Sequence, residues 1–144
     1  MLVFRKIEKQ DAKALGELAN QVFTMPWSEN AFAHLAEDKD SIFIVALEDD
    51  TLIGGCGLTH IGLEGDIHNV MVTSKYRGRG IATQMMTVLL EEGQKQGIEE
   101  FTLEVRVSNA AAIKVYEKMG FVSEGIRPRF YEQPVEDAMI MWKR

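Results

Sequence analysis

Residues 77–82, Arg-Gly-Arg-Gly-Ile-Ala, stand between an apolar run, Ile67 to Val72, and a long amphipathic segment that reaches about Gln96. The pattern predicts a strand, a glycine-rich turn, and a helix opened by that turn. Amides freed at the start of a helix point outward with the positive end of its dipole, which suits a phosphate. Gly78 and Gly80 let the main chain come close to a ligand, while Arg77, Arg79 and nearby Lys75 add charge. A pyrophosphate fits such a turn. Taken alone, the stretch also fits a solvated Arg-Gly loop.

Two phosphate loops are excluded. A Walker loop ends in Lys-Ser/Thr, whereas this turn runs Gly80-Ile81-Ala82-Thr83. A dinucleotide fingerprint needs a small residue three beyond Gly80, where Thr83 stands, and repeated βαβ units that the chain does not supply.

Around the turn, the order of elements reads as follows. Leu2 to Glu8 is a strand, and Asp11 caps a helix carrying Ala14, Leu15, Leu18 and Val22 at helical spacing. Thr24 to Trp27 is a loop, and Ser28 opens a shorter helix to about Glu37. Ser41 to Leu47 and Thr51 to Ile61 form a hairpin. The helix after Gly80 turns Ile81, Met85, Val88 and Leu89 to one side and ends at Gly97, a left-handed cap.

Phe101 to Val107 alternates: Phe101, Leu103, Val105 and Val107 point one way, Thr102, Glu104 and Arg106 the other. Asn109 caps a helix bearing Ala112, Val115, Tyr116 and Met119, with Gly120 after its end. Two last strands, about Phe121 to Ile126 and Glu136 to Trp142, flank a loop carrying Arg127 to Pro134. The order implies an α+β fold of three layers: a mixed, mostly antiparallel sheet with helices on both faces. No linker or repeat divides the chain, so residues 1–144 are expected to form one domain.

Bulk properties narrow the function. At 144 residues, with 46% hydrophobic and 26% charged residues, the chain can bury a core without disulfides. Its single cysteine, Cys56, reads as a small strand residue and fits a reducing cytoplasm. A net charge of −6 argues against nucleic-acid binding and favours a basic protein partner. There is no apolar stretch for a signal peptide or a membrane span. His34, His60 and His68 are scattered, so no metal site is expected. A serine-hydrolase elbow is missing too.

Beyond the turn come Leu103-Glu104-Val105-Arg106-Val107-Ser108-Asn109, then Ala112, Tyr116 and Gly120-Phe121. Together with Arg77-x-x-Gly80-x-Ala82 they resemble the GNAT superfamily of acetyl-CoA-dependent N-acetyltransferases. Leu-Glu-Val-Arg-x-Ser-Asn-x-x-Ala-x-x-x-Tyr followed by Gly-Phe is similar to the RimI-like ribosomal-protein-alanine N-acetyltransferases. Pro26-Trp27-Ser28 with Phe32, and the closing Glu136 to Met141, agree with that likeness. The resemblance implies a cofactor cleft between two central strands and acetyl-CoA as co-substrate; beside it, the chain is expected to be a cytoplasmic monomer without a metal. The acceptor the resemblance implies is a protein N-terminus, that of a ribosomal protein.

Acetyl transfer needs a neutral amine and a proton for the departing thiolate. An α-amine, with a pKa of about 7.7–8.0 against about 10.4 for lysine, needs less help to become neutral. A carboxylate acting through water suffices. The resemblance assigns this role to Glu104; read alone, Glu104 is a solvent-facing carboxylate paired with Arg106 or a neighbouring strand. Tyr116 is implied as the general acid that protonates the coenzyme A sulfur; read alone, it is a core tyrosine.

The resemblance further implies that Val70, Met71 and Val72 bond the pantetheine like an added strand. Arg77, Gly78, Arg79, Gly80, Ile81 and Ala82 then hold the pyrophosphate, and Asn109 bonds the cofactor while capping its helix. Met25, Trp27, Arg127 and Tyr131 are implied to border the acceptor, and Phe130 stands where relatives often carry a second tyrosine. Asp66 and His68 are alternative bases ranked behind Glu104. Rival readings keep the chemistry with a lysine or small-amine acceptor, or keep only acyl-CoA binding without catalysis.

Overall fold

The computed structural model describes residues 1–144. Its strands are β1 (Leu2–Lys6), β2 (Ser41–Glu48), β3 (Thr51–Ile61), β4 (Glu64–Val72), β5 (Glu100–Arg106), β6 (Val122–Glu132) and β7 (Val135–Lys143). Its α-helices are α1 (Ala12–Val22), α2 (Glu29–Leu35), α3 (Ile81–Lys95) and α4 (Ala110–Lys118). The strands form one sheet in the order β1-β2-β3-β4-β5-β7-β6, antiparallel except where β4 meets β5. The α+β expectation holds. No helix is long and apolar enough to cross a membrane.

Alternation along β2 explains the layers. Ile42, Ile44 and Ala46 face a core of 19 buried residues shared with α3, including Met85, Met86, Leu89 and Phe101. Phe43 and Val45 face the opposite core, where Leu15, Leu18 and Ala19 of α1 meet Phe32 and Leu35 of α2. A strand buried on both faces reads as a continuous apolar run, as Ile42 to Ala46 does. Each large side chain buried this way contributes roughly 1.5–3 kcal/mol.

Three local expectations are corrected. Asp11 does not cap α1 through its side chain. A 3₁₀ turn precedes that helix, and the Asp11 carboxylate accepts from the Glu8 amide at 2.7 Å and from Arg5 at 2.8 and 3.0 Å. Val107 lies beyond β5 and is 40% exposed, so it does not share the burial of Phe101, Leu103 and Val105.

The expected loop from Arg127 to Pro134 is mostly strand, since β6 runs on to Glu132. Arg127 pairs with Ala138 and Tyr131 with Glu136, so three β6 residues oppose Asp137 alone. The extra length is taken up at Arg129, whose φ is 52 and whose amide donates to Asp137 Oδ1 at 2.9 Å.

Candidate active site

The site begins where two central strands part. β4 pairs with β5 only at Glu64–Glu100, Gly65–Phe101 and Asp66–Thr102. Against β3, Gly57 pairs with His68 and Gly55 with Met71, so Asn69 and Val70 together oppose Cys56. This is a β-bulge, with Asn69 at φ 54, and a bulge bends its strand. The bend carries Val70, Met71 and Val72 away from β5 and leaves their β5-facing edge without a sheet partner.

The glycine turn lies at the end of that edge. Gly78 and Gly80 have φ of 76 and 77, and a Cβ on either would meet nothing within 4 Å. Gly80 is the N-cap of α3 and supplies no side-chain cap, so the amides of the first turn face open space. Arg77 Nε donates to the Val72 carbonyl at 3.2 Å, tying turn to strand, and the Arg79 guanidinium lies 5.0 Å from the Tyr76 ring centre. Open amides, two glycines and three exposed cations fit a pyrophosphate, and the free edge of β4 fits the pantetheine of acetyl-CoA.

Glu104 faces a cavity of about 300 Å³ with Thr59, Asp66, Thr102, Arg127 and Trp142. It is not paired with Arg106, whose guanidinium bonds Glu136 at 3.2 Å and the carbonyls of Pro134 at 3.0 Å and Gln133 at 3.2 Å. None of the chain's ion pairs includes Glu104. Asp66 sits beside it at the cavity rim. Loss of water, then the charges of Glu104 and Glu64, raise the Asp66 pKa against the opposing pull of Arg127.

Tyr116 is 7% exposed, within the α3-side core and edge-on to Phe121 at 6.1 Å. Burial raises its pKa strongly, with smaller contributions from Cys56 and Tyr131, so the phenol keeps its proton. Asn109 caps α4 as expected, its Oδ1 accepting from the Ala112 amide at 3.3 Å. His68 is neutral, because burial pushes its pKa down to about 4.

The implied acceptor residues gather on the α1–α2 side. Met25 and Trp27 are 59% and 39% exposed, and Trp27 also lines a larger cavity of about 520 Å³ with His34, Glu37 and Asp38. Thr59 lines both cavities, so the two are adjacent along one face of the sheet. The larger one holds none of the residues expected to do chemistry. Arg127 reaches the cavity of Glu104, and Tyr131 is half-buried, its pKa raised first by burial and then by Glu104. The sequence reading offered Arg106 only as a possible partner of Glu104 and missed its bridge: its Nη2 lies 3.4 Å from Thr24 Oγ1, joining the α1–α2 loop to the last hairpin. Its place in Leu-Glu-Val-Arg, on the Glu104 face, was the available signal.

The sequence pattern of the acetyltransferase (GNAT) family matches residues 12–121. A Bacillus subtilis (strain 168) protein provisionally named a ribosomal protein bS18-alanine N-acetyltransferase is 32% identical over 96% of this chain and 92% of its own length. The ribosomal protein bS18-alanine N-acetyltransferase of Escherichia coli (strain K12) is 31% identical over 98% of this chain and 96% of its own. The crystal structure of the ribosomal-protein-S18-alanine N-acetyltransferase from Escherichia coli superposes with a TM-score of 0.89 at 28% identity, covering 99% of this chain and 92% of that one. A Salmonella typhimurium protein solved with its cofactor acetyl-CoA shares the fold, with a TM-score of 0.88 at 16% identity, covering 100% of this chain and 94% of that one. The chain belongs to the acetyltransferase (GNAT) family, and its activity is acetyl-CoA-dependent N-acetyl transfer.

Proposed function

We propose that the acceptor is the N-terminal α-amine of a protein, and that this protein is a small-subunit ribosomal protein beginning with alanine. The observation that carries the reading is Glu104: a carboxylate without an ion-pair partner, facing a cavity at the point where β4 and β5 separate. The names of the Bacillus subtilis and Escherichia coli relatives support the choice of acceptor. In the same reading residues 1–144 act as one catalytic domain and as a monomer.

Acetyl-CoA supplies an activated thioester carbonyl. Along the edge from Val70 to Val72, the amides of Val70 and Val72 point away from β3, hold the pantetheine arm and polarise that carbonyl, with Met71 paired to Gly55 between them. The turn from Arg77 to Ala82 receives the pyrophosphate, and Asn109 adds a bond from the start of α4. Glu104 accepts the amine proton, directly or through one water, as the nitrogen–carbon bond forms. Tyr116 gives its phenol proton to the sulfur as the carbon–sulfur bond breaks. Met25, Trp27, Arg127 and Tyr131 border the acceptor chain, and two substrates held in one cleft supply proximity.

The test is coenzyme A release from acetyl-CoA with a peptide carrying a free N-terminal alanine, beside the same peptide N-terminally blocked and given a lysine. Turnover with the free N-terminus alone is expected. Turnover on the lysine alone overturns the acceptor and leaves the family activity standing.

A further inference from the structure

His68 lies on β4 immediately before the bulge, with one face and both nitrogens of its ring engaged. One face stacks on Trp27, with centroids 4.9 Å apart and planes 23° off parallel, and the Phe43 ring lies tilted to it at 6.4 Å. Nδ1 is 3.0 Å from the side-chain nitrogen of Asn69. An amide nitrogen only donates, so Nδ1 accepts and the ring proton sits on Nε2. Nε2 then donates to Thr59 Oγ1 at 3.3 Å.

Thr59 passes its own proton to Ser41 Oγ at 2.9 Å, and Ser41 donates to Asp38 Oδ2 at 2.8 Å. Every bond in the series has the same direction, from the amide at the bulge to a surface carboxylate before β2. Asn69 sits in the left-handed region, which asparagine tolerates better than other side chains, and its amide reaches back to the ring before it.

We propose that His68 is a positioning residue that ties the Trp27 loop to the Asn69 bulge, so that the acceptor border and the amides of Val70 and Val72 are set by one ring. The inference rests on the roles given above to Trp27 and to the β4 edge. Its two arms are separable. The nitrogens hold the bulge and therefore the acetyl-CoA side; the ring face holds Trp27 and therefore the acceptor side.

His68→Phe keeps a ring for Trp27 and removes both nitrogens. It is expected to weaken acetyl-CoA binding, measured by calorimetry, roughly five- to tenfold, as for the loss of one or two hydrogen bonds. The acceptor KM should change less than about twofold, within the scatter for an untouched contact. His68→Gln keeps polar atoms and removes the stack, and should give the reverse split of roughly similar size. An unchanged acetyl-CoA Kd in His68→Phe overturns the proposal. So do equal losses in both variants that track their melting temperatures, the signature of a merely structural residue.

If either variant fails to fold, nitrogen-15 NMR of the unaltered protein decides. The Nε2-protonated tautomer and a shift of the Asn69 side-chain amide signal on adding acetyl-CoA are expected; the other tautomer or an unmoved signal overturns the proposal. Calorimetry and NMR need no acceptor. A wrong choice of acceptor would show as absent peptide turnover by the unaltered enzyme, and leave these readouts intact.

Discussion

The guanidinium carbon of Arg106 lies 4.3 Å from the centre of the Tyr131 ring, stacking β5 against the last hairpin. The same group bonds Glu136, Pro134, Gln133 and Thr24, so both sides of the proposed acceptor groove hang on one side chain. Lysine keeps the charge and lacks the planar fork and the stacking face. Arg106→Lys is therefore expected to raise the acceptor KM roughly five- to tenfold with the acetyl-CoA Kd unchanged. Steady-state kinetics beside calorimetry check this. Equal damage to both substrates would mean that the groove and the cofactor cleft are not held separately.

Glu104→Gln removes the base without removing the side chain's bulk. A drop in kcat of roughly 10²–10⁴-fold is expected, the usual contribution of a positioned proton acceptor. Tyr116→Phe should lower kcat while the core keeps its packing against Phe121. Circular dichroism separates lost chemistry from lost fold. Near-normal turnover in both variants would remove both residues from the mechanism.

At Gly80, the added methyl of Gly80→Ala meets no atom, so the cost is conformational: about 1 kcal/mol for a side chain in the left-handed region. A melting curve should show that small loss. Calorimetry should show a larger one, because the methyl would fill open space that the proposed pyrophosphate site leaves for the ligand. Unaltered acetyl-CoA affinity would move the phosphate site elsewhere.

His68 makes stability depend on pH. Its folded pKa of about 4 lies below the unfolded value of 6.5, so the unfolded chain takes up a proton first as pH falls. The contribution is whole above pH 6.5 and is lost progressively down to about 4. The loss is on the order of 3 kcal/mol, at about 1.36 kcal/mol per pKa unit. Denaturant melts of His68→Phe across this window should be flatter than those of the unaltered protein by that amount. Asp66 acts in the opposite sense: its raised pKa means stability present at low pH and lost as pH climbs through the carboxyl range. Asp66→Asn should accordingly raise the melting temperature at neutral pH.

The glycine turn, the cap at Asn109, the Gly97 ending and the Glu104 face were legible because each is written in a few adjacent residues. Periodicity located the strands as well, except where β4 begins at Glu64, three residues before the apolar run from Ile67, and where β6 continues past Ile126. There the sequence Arg127-Pro128-Arg129-Phe130 reads as a loop, and only its partner Asp137 makes it a bulged strand. The stack of Trp27 on His68 and the reach of Arg106 to Thr24 join residues far apart in the chain, and no local pattern marks such a meeting. His68 looked like an isolated histidine for that reason. The bulge at Asn69 was equally silent, since it is a mismatch in length between β3 and β4 rather than a motif.

With only three residue pairs joining β4 to β5, the sheet behaves mechanically as two plates riveted at one corner: β1 to β4 on one side, β5 to β7 on the other. Such a joint is closed by backbone bonds at Glu64 to Asp66 and open beyond them, where only the shared α3-side core and side chains such as Arg106 span the gap. A molecule lodged along the open edge acts as a wedge and a brace together, stiffening the angle between the plates. The enzyme's rigidity therefore belongs partly to its substrate, and amide hydrogens near Val72 and Arg106 should exchange with solvent more slowly once the gap is filled.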